Sequence, residues 1–108
     1  MQFRTIAVAC AVAFAAAGTP AYSGPSLSSN WTSTTLDQGE CMTRAERIVR
    51  QAGMSRGLEI VGQSVFGRSG SYTAVVRCVS NKGIVFFFVA GPRLEQVKQH
   101  MNSIFEKF

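Results

Sequence analysis

The sequence predicts an α+β domain in which two amphipathic helices cover one face of a three-stranded antiparallel sheet. Apolar residues recur at helical spacing in two segments, one at each end of the region after residue 35. Segments rich in β-branched and aromatic residues lie between them and are separated by glycine-containing turns. The expected order is therefore helix, three-stranded meander, helix, with both helices on one sheet face.

Residues 1–23 have the pattern of a secretory signal peptide. Arg4 precedes an apolar run at residues 6–17, which is too short to cross a bilayer because a spanning helix needs about 20 residues. Small residues suit cleavage after Ser23 or, alternatively, after Ala21. An uncleaved anchor helix is the disfavoured alternative. We expect a periplasmic or secreted protein with no stable membrane span after cleavage.

Residues 24–35 are polar, rich in Ser and Thr, and without apolar periodicity, which predicts a flexible leader. Trp31 is the exception in this stretch. It docks either on its own domain, the interpretation we favour, or on a partner. Residues 36–108 then form a single disulfide-closed domain, because the exported part is long enough for one domain and too short for two.

The first helix begins with a capping box, in which Asp37 is followed three residues later by Glu40. Glu40 is spaced to pair with Arg44, and Glu46 is spaced in the same way to pair with Arg50. One face of this helix is apolar and carries Cys41, Ala45, Ile48, Val49 and Ala52. Cys41 is therefore expected on the buried face, near the start of the helix.

The first predicted strand covers residues 58–66, is interrupted by Gly62, and is followed by a flexible loop at 67–71. The second covers residues 72–79 and alternates clearly. One of its faces carries Tyr72, Ala74, Val76 and Cys78, and the other carries Thr73, Val75, Arg77 and Val79. A bond between Cys41 and Cys78 would place the first of these faces toward the helices.

A turn at residues 80–83 leads to the third predicted strand, residues 84–90 (IVFFFVA), which is apolar on both faces. The last helix starts at about Arg93. Its apolar stripe consists of Leu94, Val97, Met101, Ile104, Phe105 and Phe108.

Cys41 and Cys78 are the two cysteines that remain after removal of the signal peptide, and an even count in an exported chain favours a disulfide. Two buried free thiols are the alternative. The absence of a Cys-x-x-Cys motif argues against a thiol-exchange enzyme. Two cysteines and one histidine do not form a structural zinc site, and no cofactor is expected.

The third strand must present apolar side chains to both sides of the sheet. We expect its even-numbered residues, Ile84, Phe86, Phe88 and Ala90, to face the helices. The interaction-face candidates are then Val75, Val85, Phe87, Val89 and Trp31. An exposed apolar face or edge of this kind marks a contact surface, covered by a partner or a second copy. The alternative is that the leader folds back over it.

A basic face is formed by the helix residues Arg44, Arg47 and Arg50, with Arg56 following the helix. It could bind an anionic polymer or lipid head groups. A solvated helix face is the favoured alternative. Nucleic acid is disfavoured as a partner, because the chain is exported and no aromatic residues interleave with these arginines.

Catalytic motifs are missing from the sequence, and we expect no enzyme activity. His100 is the one histidine, and three of the six acidic residues, Asp37, Glu40 and Glu46, already have capping or pairing roles. His100 is expected to be a surface or boundary side chain of the last helix.

Three groups of residues resemble a family of small exported bacterial proteins, a domain of unknown function, over residues 37–93. These are Asp37-x-x-Glu40-Cys41-x-x-Arg44-Ala45, then Tyr72-Thr73 with Arg77-Cys78, then Lys82-Gly83-Ile84-Val85-Phe86-Phe87 with Ala90-Gly91-Pro92. The resemblance implies a periplasmic or secreted domain and supplies no catalytic residues.

The expected function is that of a non-enzymatic exported interaction module, which binds a protein partner or itself as a homo-oligomer through the apolar sheet face. One alternative is an inhibitor or small-ligand carrier, with its site between sheet and helices. A small hydrolase that uses His100 is a third, less favoured class.

Overall fold

The structure, a computed structural model, describes residues 24–108. Its elements are β1 (Ser26–Ser33), α1 (Gln38–Gln51), β2 (Arg56–Val61), β3 (Ser64–Ser69), β4 (Tyr72–Val79), a 3-10 turn (Ser80–Lys82), β5 (Ile84–Gly91) and α2 (Leu94–Lys107). The strands form one five-stranded antiparallel sheet in the order β1-β5-β4-β3-β2. The α+β class and the two helices are confirmed, whereas the three-stranded meander is wrong in strand number. The predicted signal peptide, residues 1–23, lies outside the described residues.

Both helices cover the same face of the sheet. Helix α1 packs against β3 and β4, and α2 packs against β5 and β1. The core between the layers consists of Cys41, Ala45, Ile48 and Val49 from α1, Met54, Val65, Ala74, Val76, Cys78, Val85, Phe87 and Val89 from the sheet side, and Val97, Met101 and Ile104 from α2. We call this the inner face of the sheet and the opposite one the outer face.

Helix α1 begins as the capping pattern predicts. The side chain of Asp37 accepts a hydrogen bond from the backbone N–H of Glu40 at 2.8 Å. That N–H lowers the pKa of Asp37, while the nearby Asp37 carboxylate raises the pKa of Glu40. Cys41 lies on the buried face of the helix, where the apolar period places it.

The predicted strand at residues 58–66 is in fact two strands joined by a tight turn. Gly62 is the first residue of that turn and has a φ of 58°, while Gly70 has a φ of 57° at the same position of the β3–β4 turn. Glycine at the first of two turn residues is typical of type II′ hairpins. The loop predicted at residues 67–71 is therefore mostly strand β3, which continues to Ser69.

Residues 26–33 were expected in a flexible leader, and that expectation is wrong. They form β1, which pairs with β5 along its whole length, from Ser26 opposite Gly91 to Ser33 opposite Ile84. The alternative in which the leader folds back is the one observed, with β1 covering the edge of β5. An apolar strand left at a sheet edge would be an aggregation hazard, and β1 removes it from that position.

The Cys41–Cys78 disulfide is present, with a separation of 37 positions and an S–S distance of 2.05 Å. Both cysteines are fully buried, so the bond fastens the start of α1 to the inner face of β4. A buried disulfide is typical of proteins from oxidising environments such as those outside the cytosol.

The chain segment after α1 lies very close to strand β3. A Cβ atom on Gly67 would collide with the backbone carbonyl of Met54 and with the side chain of Val49. Glycine at this position therefore allows the end of α1 to reach the sheet. No larger residue fits at position 67 unless the backbone moves.

Removal of the disulfide is expected to destabilise the domain. In the double variant Cys41→Ala/Cys78→Ala, the loop of 37 positions is no longer closed, and the chain-entropy model predicts a loss of about 4 kcal/mol in the free energy of unfolding. Urea denaturation measures this loss. The non-reduced wild type should be lighter than the reduced chain by two hydrogen atoms. Equal masses, or a variant as stable as the wild type, would contradict the bond.

Gly67→Ala is expected to lower the free energy of unfolding by about 1–3 kcal/mol, because the added methyl group overpacks a site bounded by backbone. Gly39→Ala is the matched control. Its added Cβ meets nothing closer than the Asp37 side chain at 3.6 Å, so this helical substitution should stabilise by about 0.5–1 kcal/mol. Thermal or urea unfolding compares the two, and equal effects would contradict the close approach of α1 to β3.

Candidate interaction surface

Within residues 24–108, no helix covers the outer face of the sheet, and this face carries a group of apolar side chains. This group, the outer apolar strip, consists of Leu27 and Trp31 on β1, Phe86 and Phe88 on β5, Val75 on β4 and Phe66 on β3. The exposed fractions of Leu27 and Trp31 are 64% and 60%. The other four are partly exposed. These side chains form an apolar surface on the side of the sheet opposite the helices.

The predicted orientation of β5 is wrong, because Val85, Phe87 and Val89 are fully buried on the inner face. The reason lies in the turn between β4 and β5. Val79 pairs directly with Ile84 across that turn, and paired residues share a face. Since Val79 points outward, as predicted, Ile84 must also point outward. Because side chains alternate between the two faces along a strand, Phe86 and Phe88 point outward as well.

The inner position of Phe87 is held by aromatic contacts with α2. Its ring lies 5.2 Å from the ring of Phe105 and 5.4 Å from that of Phe108, centroid to centroid. Both pairs are close to perpendicular, the edge-to-face geometry that aromatic quadrupoles favour. Phe87 is therefore a central core residue and does not take part in an interaction face.

The strip runs continuously across the sheet. One cross-strand row joins Phe66, Val75 and Phe88. A neighbouring row joins Phe86 to Trp31. The rings of Phe86 and Phe88 are nearly parallel, with centroids 6.4 Å apart.

Arg77 lies at the polar border of the strip, opposite Phe86. Its guanidinium group donates to Ser64 Oγ and to Gln63 Oε1, each at 3.2 Å. These hydrogen bonds direct the charge toward the β2–β3 hairpin. The ring of Phe86 is thus bordered by a polar group on the β4 side, whereas Phe88 continues into the apolar row of Val75 and Phe66.

Trp31 does not dock into the core of its own domain. Its backbone lies opposite Phe86 in the sheet, and its side chain remains mostly exposed on the outer face.

Of the predicted interaction-face residues, Trp31 and Val75 thus lie on the outer face. The same strip contains four residues that were not predicted: Leu27, Phe66, Phe86 and Phe88. The pairing of Val79 with Ile84 is the signal that could have identified Phe86 and Phe88.

The four arginines of the predicted basic face have different environments. Arg44 donates to the carbonyl oxygen of Phe108 at 3.0 Å and lies 5.4 Å above the Phe108 ring. The predicted pair of Arg50 with Glu46 is confirmed at 3.2 Å. Arg47 is exposed, and Arg56 lies on the edge strand β2. Two of the four charges are therefore engaged within the domain.

Open grooves lie beside the start of α1. One, of about 570 Å³, is lined by residues 32–36 together with Arg44, Phe105 and Phe108. A second, of about 540 Å³, shares Leu36 and Arg44 with it. The space between sheet and helices is occupied by the core side chains. The core side chains thus fill the place where a small-ligand site between sheet and helices was expected.

His100 lies against the ring of Tyr72, with centroids 5.2 Å apart. The Tyr72 ring also covers Gly91, where a Cβ atom would collide with it. These contacts give His100 and Tyr72 a packing role at one end of the sheet. Among residues 24–108, no three His, Cys, Asp or Glu side chains are grouped so that they could hold a metal ion.

No protein-family model and no curated protein matches this chain. Within the described part of the chain, no helix has the length and apolar character needed to span a bilayer.

The orientation of β5 can be tested by paired substitutions. Phe87→Ala empties a fully buried site and is expected to lower the free energy of unfolding by about 3–5 kcal/mol. Phe88→Ala removes a partly exposed ring and should cost clearly less. Chemical denaturation of the two variants measures the difference. A larger cost for Phe88→Ala would mean that β5 has the opposite orientation.

Proposed function

We propose that this chain is a non-enzymatic exported interaction module that binds a protein partner or a second copy through the outer apolar strip. The observation that carries the proposal is that both helices cover the inner face, while aromatic side chains occupy the uncovered outer face. A sheet with helices on one side ordinarily shows polar residues on its other side. The departure from that pattern needs a reason, and contact with another surface supplies one.

The composition of the strip suits protein binding. Tryptophan and phenylalanine are enriched at interfaces because they bury a large area with few rotatable bonds. Trp31 and Leu27 are the most exposed members, and Phe86 and Phe88 provide a flat aromatic centre beside them. Arg77 and the serines of β1 provide the polar surroundings that are typical of an interface rim.

Export is supported by three observations. The first residues have the pattern of a signal peptide. The disulfide is buried in the core. The motifs around Cys41 and Cys78 resemble those of small exported bacterial proteins. Together they favour a periplasmic or secreted location for the binding event.

The proposal predicts that Phe88→Asp abolishes association and leaves the domain folded. A charge at the centre of the strip must lose its hydration when the strip is covered, and this opposes binding. The wild type, immobilised, is used to capture partners from its native envelope fraction, and self-association is followed by sedimentation velocity.

Leu94→Asp is the matched control, because Leu94 is 49% exposed at the start of α2, in the helix layer. It introduces the same charge at a large exposed apolar residue and should leave association unchanged. Circular dichroism reports whether each variant is folded. If folded Phe88→Asp binds as the wild type does, the outer apolar strip is not the binding surface.

A further inference from the structure

We infer that the free edge of β1 pairs with β1 of a second copy, which joins two sheets into one continuous antiparallel sheet. This inference deepens the proposed function and rests on it for the role of the outer apolar strip. It also names the partner, a second copy of this chain, and the backbone groups that would join the two copies.

Alternate backbone groups of β1 face the free edge of the sheet. Among the described strands, β1 is at the end of the sheet and has β5 as its one neighbour. The N–H of Thr34 donates to the carbonyl of Gly83 at 2.9 Å, and this bond continues the register in which Ser33 lies opposite Ile84. Alternate residues of an antiparallel strand bond to the same neighbour.

The even-numbered residues of β1 therefore bond to β5, and the odd-numbered ones direct their N–H and C=O groups toward the free edge. The odd-numbered residues are Leu27, Ser29, Trp31 and Ser33. The same residues carry their side chains on the outer face, because Trp31 lies opposite Phe86 and Ser29 opposite Phe88. Backbone groups that can pair and the apolar side chains of the strip thus occur at the same positions.

The two edges of the sheet differ in how they are protected against pairing. Natural sheets protect their edges with charges, prolines, bulges or short strands. The β2 edge has such protection, since it contains Arg56 and Glu59 and its register with β3 shifts between them. Strand β1 has eight residues, pairs regularly along its length, and contains neither charge nor proline. Of the two edges, β1 is the one open to another strand.

Strand β1 is complementary to a second copy of itself. A two-fold axis at Ser29 would place Leu27 of each copy opposite Trp31 of the other, because the two residues are equally distant from Ser29. Both side chains lie on the outer face and are mostly exposed, so each would cover the other. The outer apolar strips of the two copies would become continuous. Because β1 is uncharged, two copies do not repel each other along the edge.

One contact in the single chain opposes this pairing. The side chain of Asn30 accepts a hydrogen bond from the backbone N–H of Trp31 at 2.9 Å. That N–H faces the free edge, where a second copy would need it. Asn30 therefore competes with the second strand, and its side chain must release Trp31 when the two copies join.

The first experiment tests the register by cross-linking. In Ser29→Cys, the two new thiols are directly opposite each other across the axis, so mild oxidation of the purified protein should give a disulfide-linked dimer on non-reducing gels. Ser33→Cys is the matched control, an exposed serine on the same strand. In the proposed register its two copies are about 26 Å apart, at ~3.3 Å per residue, and it should give at most a trace of dimer.

The second experiment uses the uncrosslinked protein in sedimentation equilibrium. Ser29→Pro removes an N–H that faces the free edge and spares the bonds to β5, so the fold is retained and dimerisation should weaken by about tenfold or more. Asn30→Ala frees the N–H of Trp31 and should tighten the dimer. Circular dichroism confirms folding of both variants.

The outcomes separate this inference from the proposed function. A wild type that is monomeric at all concentrations, equal cross-linking of Ser29→Cys and Ser33→Cys, or a folded Ser29→Pro variant that dimerises normally would overturn edge pairing. Loss of partner capture in Phe88→Asp would in that case still support the outer apolar strip. If edge dimers form and Phe88→Asp still captures the partner, the outer apolar strip is not the partner-binding surface, whereas pairing of the β1 edges is supported.

Discussion

The β4–β5 register determines which side of each strand faces solvent, and it buries Phe87 between the sheet and α2. The Phe87 ring makes edge-to-face contacts with Phe105 and Phe108, and neighbouring residues of a strand point to opposite sides. Phe86 and Phe88 are therefore held outward, and the paired residues of β1 and β4 take their orientation from the same register. The exposed aromatic surface is thus a direct consequence of how the core is packed.

Much of the fold follows from local signals in the sequence. The capping residue Asp37 and the apolar stripes located both helices, and clear alternation gave the inner face of β4, including Cys78. The orientation of β5 could not be predicted from its composition, because the segment IVFFFVA is apolar at every position. Its hydrophobic pattern therefore does not specify which residues face the helices. The decisive information was the length of the turn that pairs Val79 with Ile84.

Strand β1 was missed for a different reason. Its inner positions, Ser28, Asn30 and Thr32, are polar, so the strand lacks the alternation that marks a half-buried strand. Its place in the sheet depends on a partner edge far away in the sequence, and single-segment patterns do not contain that information. Val75 lies on the outer face, as the clear alternation of β4 predicts, whereas Trp31, which was expected to dock on its own domain, is mostly exposed.

Strand β1 also has a consequence for the order in which the domain is completed. It is synthesised before every other element of the sheet, but β5, the strand it pairs with, is the last strand to be made. The sheet therefore closes by a long-range contact, which is entropically costly and slow compared with the local hairpins. During that interval β1 has no neighbour. Its run of serines, with threonine and asparagine, keeps the unpaired segment hydrated until β5 is available.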